Sequence, residues 1–243
     1  MLLEILFPPR CPICGDIVMP KGEKACPECR MLVKYAVGPC CLKCGKPLSV
    51  ANADEEYCRD CFSKKHFFDA GKAVFVYDEI MKKSIAQFKY NHRCEYAKFF
   101  AEEIIRFLGK DIERWNADAM IPIPLHKSRK KWRGFNQSEL IAKELEKKFS
   151  IPVCTDIIIR HKKTKAQKQL NSQERQNNLK KAFKIVQNDV KLSTVILIDD
   201  IYTTGSTIDA VSSLLKQAGV ERVYFITISV GLDIGGGMIY ERT

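Results

Sequence analysis

The chain has 243 residues, 46% hydrophobic content and a formal charge of +11, which suits one ordinary domain with a small companion. No apolar run approaches the ~18 residues that span a bilayer. The opening MLLEILFPPRCP, with Glu4 and two prolines, is too short in its apolar run for a secretory signal, so a cytoplasmic protein without membrane insertion is expected. The charge is uneven: residues 1–66 carry a net +2 and residues 67–243 a net +9, while 126–184 alone holds seventeen basic against five acidic side chains. Such a block fits a polyanionic or phosphorylated partner, and equally a solvated basic surface.

Nine of the eleven cysteines fall in the first 61 residues, eight of them as four Cys-x2-Cys pairs: Cys11/Cys14, Cys26/Cys29, Cys41/Cys44 and Cys58/Cys61. Each pair can grip one side of a tetrahedral ion, and two pairs complete a four-thiolate shell. A reducing compartment argues against disulfides. The spacing therefore predicts two structural zinc ions, one held by Cys11, Cys14, Cys26 and Cys29, the other by Cys41, Cys44, Cys58 and Cys61. Ligands exchanged between the sites would satisfy the same spacing. Cys40 is left over. Each site would add a net −2, taking the chain from +11 to about +7. Residues 1–66 read as a cysteine-rich double zinc-ribbon module whose folding leans on metal, by on the order of 10 kcal/mol per site.

From residue 67 to 243 strands and helices alternate. Strands are expected over 72–77, 118–124, 153–160, 194–199 and 222–229. Helices are expected over 80–90, 96–109 (stopped by Gly109), 136–149 (with Asn136 as cap and Glu139 completing a capping box), 172–183 and 206–219. Apolar strands alternating with helices predict a mostly parallel sheet covered by helices on both faces. Ligands of such sheets bind beyond the carboxyl ends of the strands.

Within that frame the stretch KSRKKWR (127–133) stands out, with no acid among its cations and Trp132 interleaved. Lys127, Lys130, Lys131 and Arg133 with Trp132 suit a single-stranded nucleic acid, cations for phosphates and a ring for a base. Trp132 reads equally as a core residue, and Phe135 is read as core. The polar segment 160–171 reads as a mobile loop or as a solvated basic linker.

The most informative stretch is VILIDDIYTTGST (195–207). A buried strand ends in Asp199 and Asp200, and a helix opens at Thr203-Thr204-Gly205-Ser206-Thr207. Unbonded amides at a helix start, with hydroxyls and a glycine, make a cradle for one phosphate. The two carboxylates suit hydroxyl donors or a cation, so a sugar carrying a phosphate and a vicinal diol fits. Paired aspartates also end a strand in receiver domains that hold Mg2+, but there they come early in the domain. No Walker-type phosphate loop is present.

This stretch resembles the phosphoribosyl-pyrophosphate motif of type I phosphoribosyltransferases. The whole chain resembles the ComF family: a cysteine-rich start, then IPIPLHKSRKKWRGFNQSELIAKEL (121–145), QKQLNSQERQNNLKKAF (167–183) and the phosphate motif. The resemblance implies the phosphoribosyltransferase type I fold behind the zinc module. It implies that Asp199 and Asp200 bind ribose hydroxyls, that Thr203, Thr204, Gly205, Ser206 and Thr207 bind the 5′-phosphate, and that Mg2+ accompanies the pyrophosphate. Pro124, Leu125 and His126 would then line a pyrophosphate loop, with Arg129 or Arg133 reaching the same group. Gln167, Gln169, Asn171, Arg175, Lys89 and Tyr90 also match the family pattern, the last two with no chemistry that the sequence assigns. The family is associated with natural competence, which implies phosphoribosyl pyrophosphate and single-stranded DNA as partners, with a DNA-processing protein such as a helicase beside them. No residue identifies an acceptor nucleophile, so the catalytic residues are unknown. An active phosphoribosyltransferase on a small metabolite and a non-catalytic sensor stay open beside the DNA-uptake reading.

Overall fold

A computed structural model describes residues 8–49, 52–161, 182–186 and 191–232. Four parallel strands form the central sheet in the order β1 (Ala70–Val76), β6 (Arg222–Val230), β5 (Thr194–Tyr202) and β2 (Ala119–Pro122). The register sets Ile198 beside Pro122 on one side and Ile226 on the other. Alternate residues of one strand point to opposite faces, and two cores result. Ile196, Ile198, Ile226 and Ile228 face α3 (Glu79–Tyr90), α4 (Tyr96–Trp115) and α6 (Gln137–Phe149). Val195, Leu197, Val223 and Phe225 face α7 (Ser206–Gln217). Every one of these eight side chains is fully buried. Helices on both faces of a parallel sheet are the predicted layers.

The ribbons divide between the same two cores. Cys11, Val18, Cys29 and Val33 join the α3/α4 side, with α1 (Pro27–Leu32) carrying Cys29. Cys41, Cys44, Leu48 and Cys58 join the α7 side, with α2 (Arg59–Ser63) carrying Cys61. Between them the chain turns around the β1 edge, where Tyr35 bridges Phe75 and Ala36 N–H bonds Val74 O at 2.7 Å. This edge is thereby covered.

Five expectations are corrected. The helix begun at 96 does not stop at Gly109 but runs to Trp115. Continuing it buries Ile112 and stacks Trp115 on Tyr224 at 4.6 Å, which outweighs the ~1 kcal/mol cost of a mid-helix glycine. Of 153–160 only β3 (Ile158–Arg160) is a strand, and it pairs antiparallel with β4 (Phe183–Ile185), while Val153 merely bridges Met120. Phe183 is thus in a strand rather than at a helix end, and 172–181 lies outside the described residues. The capping box is not made: Asn136 occupies the cap but its Nδ2 donates to Ile123 O at 3.0 Å, and Glu139 pairs instead with Lys130 and Lys143. Finally, β5 extends past Asp199 to Tyr202, so both carboxylates lie within the strand, near its carboxyl end.

Candidate functional site

The site is built where β5 meets α7. Asp199 and Asp200 are half-buried at the carboxyl end of the central strand. Lys89, in the last turn of α3, places Nζ 2.6 Å from Asp200 Oδ2. Asp199 Oδ1 accepts from the Asp200 N–H at 2.9 Å, and Ser138 Oγ, at the start of α6, lies 3.5 Å away. Burial, and then the neighbouring Asp200 charge, push the Asp199 carboxyl up to about 7, against the opposing pull of Lys89. Near neutral pH the Asp199 carboxyl is therefore about half protonated, while Asp200 is paired with Lys89.

Four residues on, Thr203 and Thr204 are exposed, and Thr204 Oγ1 lies 2.9 Å from Ser206 Oγ. Gly205 has φ +73°, and a Cβ there would lie 2.6 Å from the Tyr202 hydroxyl, so the turn admits only glycine. No side chain caps α7, and its first intrahelical bond runs from Asp209 N–H to Gly205 O. The amides of Ser206, Thr207 and Ile208 consequently start the helix without intrahelical acceptors. Amides, hydroxyls and the positive helix end make this turn an anion cradle.

The second sequence motif ends beside it. After β2, half-buried Pro124, Leu125 and His126 lead into α5 (Lys127–Arg133). His126 Nδ1 caps that helix by accepting from the Ser128 N–H at 3.2 Å. Lys127, Arg129, Lys131 and Trp132 are exposed, Trp132 by 63%. Lys130 lies 3.1 Å from Glu139. Arg133 is set apart from the other cations: it is 5% exposed, donates to Gln137 Oε1 and lies 5.3 Å over the Tyr90 ring. Phe135 packs on Phe88, while Trp132 meets Tyr90 at 5.8 Å. The positions Gln167, Gln169, Asn171 and Arg175 lie outside the described residues.

The thiols gather into two groups, Cys11/Cys14/Cys26/Cys29 and Cys41/Cys44/Cys58/Cys61, each with all sulfurs within 4.8 Å of one another. Four sulfurs at ~2.3 Å from a tetrahedral zinc stand about 3.8 Å apart, so both groups fit the ion. The ligands are not exchanged between groups. Cys40 stays outside, with Sγ 3.9 Å from Ala36 O. Gly45, at φ +73°, lets the second ribbon approach the sheet: a Cβ there would lie 2.7 Å from Gly71 O.

Sequence reasoning missed Lys89 as the partner of Asp200, and it missed the contacts of Tyr90 with Trp132 and Arg133. The FKY tripeptide stood out in the sequence, but its partners are 111 and 42 residues away along the chain, where no local pattern reaches.

Comparison with known proteins agrees with both halves of this arrangement. A double zinc ribbon domain matches residues 2–62, and a phosphoribosyl transferase domain matches residues 136–231. Competence protein F of Haemophilus influenzae is 30% identical over 221 residues, covering 88% of this chain and 93% of that protein. Competence protein ComFC of Bacillus subtilis is 29% identical over 204 residues, covering 81% and 80%. DNA utilization protein YhgH of Salmonella typhimurium is 28% identical over 202 residues, covering 82% and 86%. A likeness that runs through both ribbons and the strand-end motif alike is a family relationship, and the chain belongs to the ComF family.

Proposed function

We propose that this chain binds Mg2+-phosphoribosyl pyrophosphate at the carboxyl end of β5, binds single-stranded DNA along α5, and serves DNA uptake in the cytoplasm. The observation that carries the reading is the pair Asp199–Asp200 standing directly before the uncapped start of α7. The 5′-phosphate sits on the amides and hydroxyls of 203–207, and the ribose diol faces the carboxylates. The pyrophosphate with Mg2+ extends toward Pro124–His126 and Arg129. Lys89 neutralises Asp200 before the ligand arrives, so binding exchanges one set of partners for another rather than uncovering bare charge.

Calorimetry tests the pocket. Asp199→Asn with Asp200→Asn abolishes Mg2+-phosphoribosyl pyrophosphate binding, and Thr204→Val weakens it by about 1–3 kcal/mol through an unpaired phosphate oxygen. Unchanged affinity in both variants sinks the assignment. For DNA, each neutralised phosphate adds ~0.7 to the slope of log K against log salt, so Lys127→Ala with Lys131→Ala lowers the slope by about one to two. Trp132→Ala weakens binding with little change in slope, because stacking releases few counterions. A flat salt titration leaves α5 as a solvated face and moves the reading to a metabolic phosphoribosyltransferase.

A further inference from the structure

The four residues that leave the second ribbon, His66 to Asp69, lie along α7 from its first turn to its last. At the start both oxygens of the Asp209 carboxylate are held: Oδ2 lies 2.7 Å from His66 Nδ1, and Oδ1 accepts from the Phe67 N–H at 3.1 Å. The His66 and Asp209 side chains are only 2% and 12% exposed. Phe68 follows, fully buried, edge-on to Tyr202 at 6.0 Å and to Phe225 at 4.9 Å. Asp69 Oδ2 then accepts from Lys216 Nζ at 2.7 Å, in the last turn of α7, and from the Val223 N–H at 2.8 Å.

These contacts converge on the phosphate loop. Asp209 closes the first turn of α7 on Gly205, and Tyr202 is the residue against which Gly205 rests. His66 lies a few residues beyond Cys61, and Lys43 covers the Phe68 ring at 5.4 Å, so the segment is tied to the second ribbon along the chain and through Phe68. Of the links, the buried His66–Asp209 contact outweighs the exposed Lys216–Asp69 pair, since water and salt screen the latter. The first ribbon makes its contacts across the sheet, through Arg30 with Glu102 and Glu103 of α4.

We propose that the segment 66–69 is a strap that makes the second ribbon a positioning element of the phosphate loop, with His66 acting through Asp209 as its main grip. The effect on ligand rests on the phosphoribosyl-pyrophosphate reading; the effect on the loop does not.

Amide hydrogen exchange across 203–209 in the full chain tests it, together with zinc content and calorimetric affinity for Mg2+-phosphoribosyl pyrophosphate. His66→Ala speeds exchange at these amides and weakens the ligand about tenfold, the loss of roughly one buried hydrogen bond. His66→Asn, whose amide nitrogen stands where Nδ1 stands and can still donate to Asp209, stays close to the parent. Arg30→Ala loosens α4 but leaves 203–209 and the affinity unchanged. Two zincs per chain in each variant show that the ribbons are intact. If His66→Ala loses zinc, Asp209→Ala breaks the grip from the other side and gives the same local loosening. Unaltered exchange at 203–209 in the variant that keeps its zinc overturns the strap, and so does equal loosening by Arg30→Ala. If the parent binds no phosphoribosyl pyrophosphate while the exchange pattern appears, the ligand reading falls and the strap stands.

Discussion

In the first ribbon Cys14 is exposed and Cys26 half-buried, and the outer surface of the module carries Met19 and Met31 in water. In the second, Cys41, Cys44 and Cys58 are all buried, and Lys46, 3% exposed, lies 2.6 Å from Asp60 between Cys58 and Cys61. A four-thiolate zinc carries a net −2, so a buried ammonium beside it offsets charge that water would otherwise solvate. The first ribbon rests on α4 through Arg30, whose guanidinium meets the fully buried Glu103 and also lies 5.2 Å over Phe99. The second shares its core with α7, the helix that opens at the Thr203–Thr207 turn. Two modules with one ligand chemistry therefore answer to different neighbours: one rests on α4 and the other on α7, on opposite faces of the sheet.

The largest test of that difference is to remove each metal in turn. Cys58→Ser leaves one zinc by metal analysis and collapses thermal stability, because on the order of 10 kcal/mol of metal-linked folding energy is withdrawn from the core that holds α7. Cys14→Ser also leaves one zinc but lowers the melting temperature less and keeps the pocket intact. Equal losses of melting temperature and ligand affinity in the two variants would erase the contrast. Next in size, Glu103→Gln weakens the buried contact with Arg30 and Tyr35 and costs about 2–4 kcal/mol in denaturant unfolding, with pocket affinity unchanged. A parallel fall in affinity would show the two faces to be mechanically joined.

A smaller effect sets the pH at which the contrast is best read. Asp199 titrates at about 7 in the folded chain, raised from 3.8 by burial and by Asp200. Between these values the folded chain keeps a proton that the unfolded chain has released. The stability this confers is full below about pH 4 and is lost as pH rises toward 7. Asp199→Asn, which cannot ionise, is accordingly more stable than the parent by roughly 1–3 kcal/mol at pH 8 and nearly equal to it at pH 4. Identical pH–stability curves for parent and variant would place the proton elsewhere. Ribbon variants compared at pH 8 are compared with this term constant.

The sequence made the layers, the metal ligands and the strand-end motif legible because each is written in local spacing: period two or three to four for strands and helices, two intervening residues for a zinc knuckle. The partners of Lys89, His66 and Arg30 were not legible, since they lie 111, 143 and 73 residues away and only the closed fold brings them together. Gly109 misled for the converse reason. A weak local signal for a helix end was overruled by the burial of Ile112 and Trp115, which local reading cannot see. The same holds for Glu139, a good capping residue by position that two lysines claim in the folded chain.

The two tryptophans divide the labour of an optical instrument. Trp115 is 8% exposed and lies flat on Tyr224, sealed from solutes. Trp132 is 63% exposed and touches Tyr90, the neighbour in sequence of the lysine that holds Asp200. A neutral quencher such as acrylamide reaches the second ring and not the first, so the quenchable part of the native emission belongs to Trp132. The fluorescence of the unlabelled protein is therefore a local signal from α5, beyond the carboxyl end of β2, set against an internal constant supplied by the opposite, amino-terminal end of the sheet.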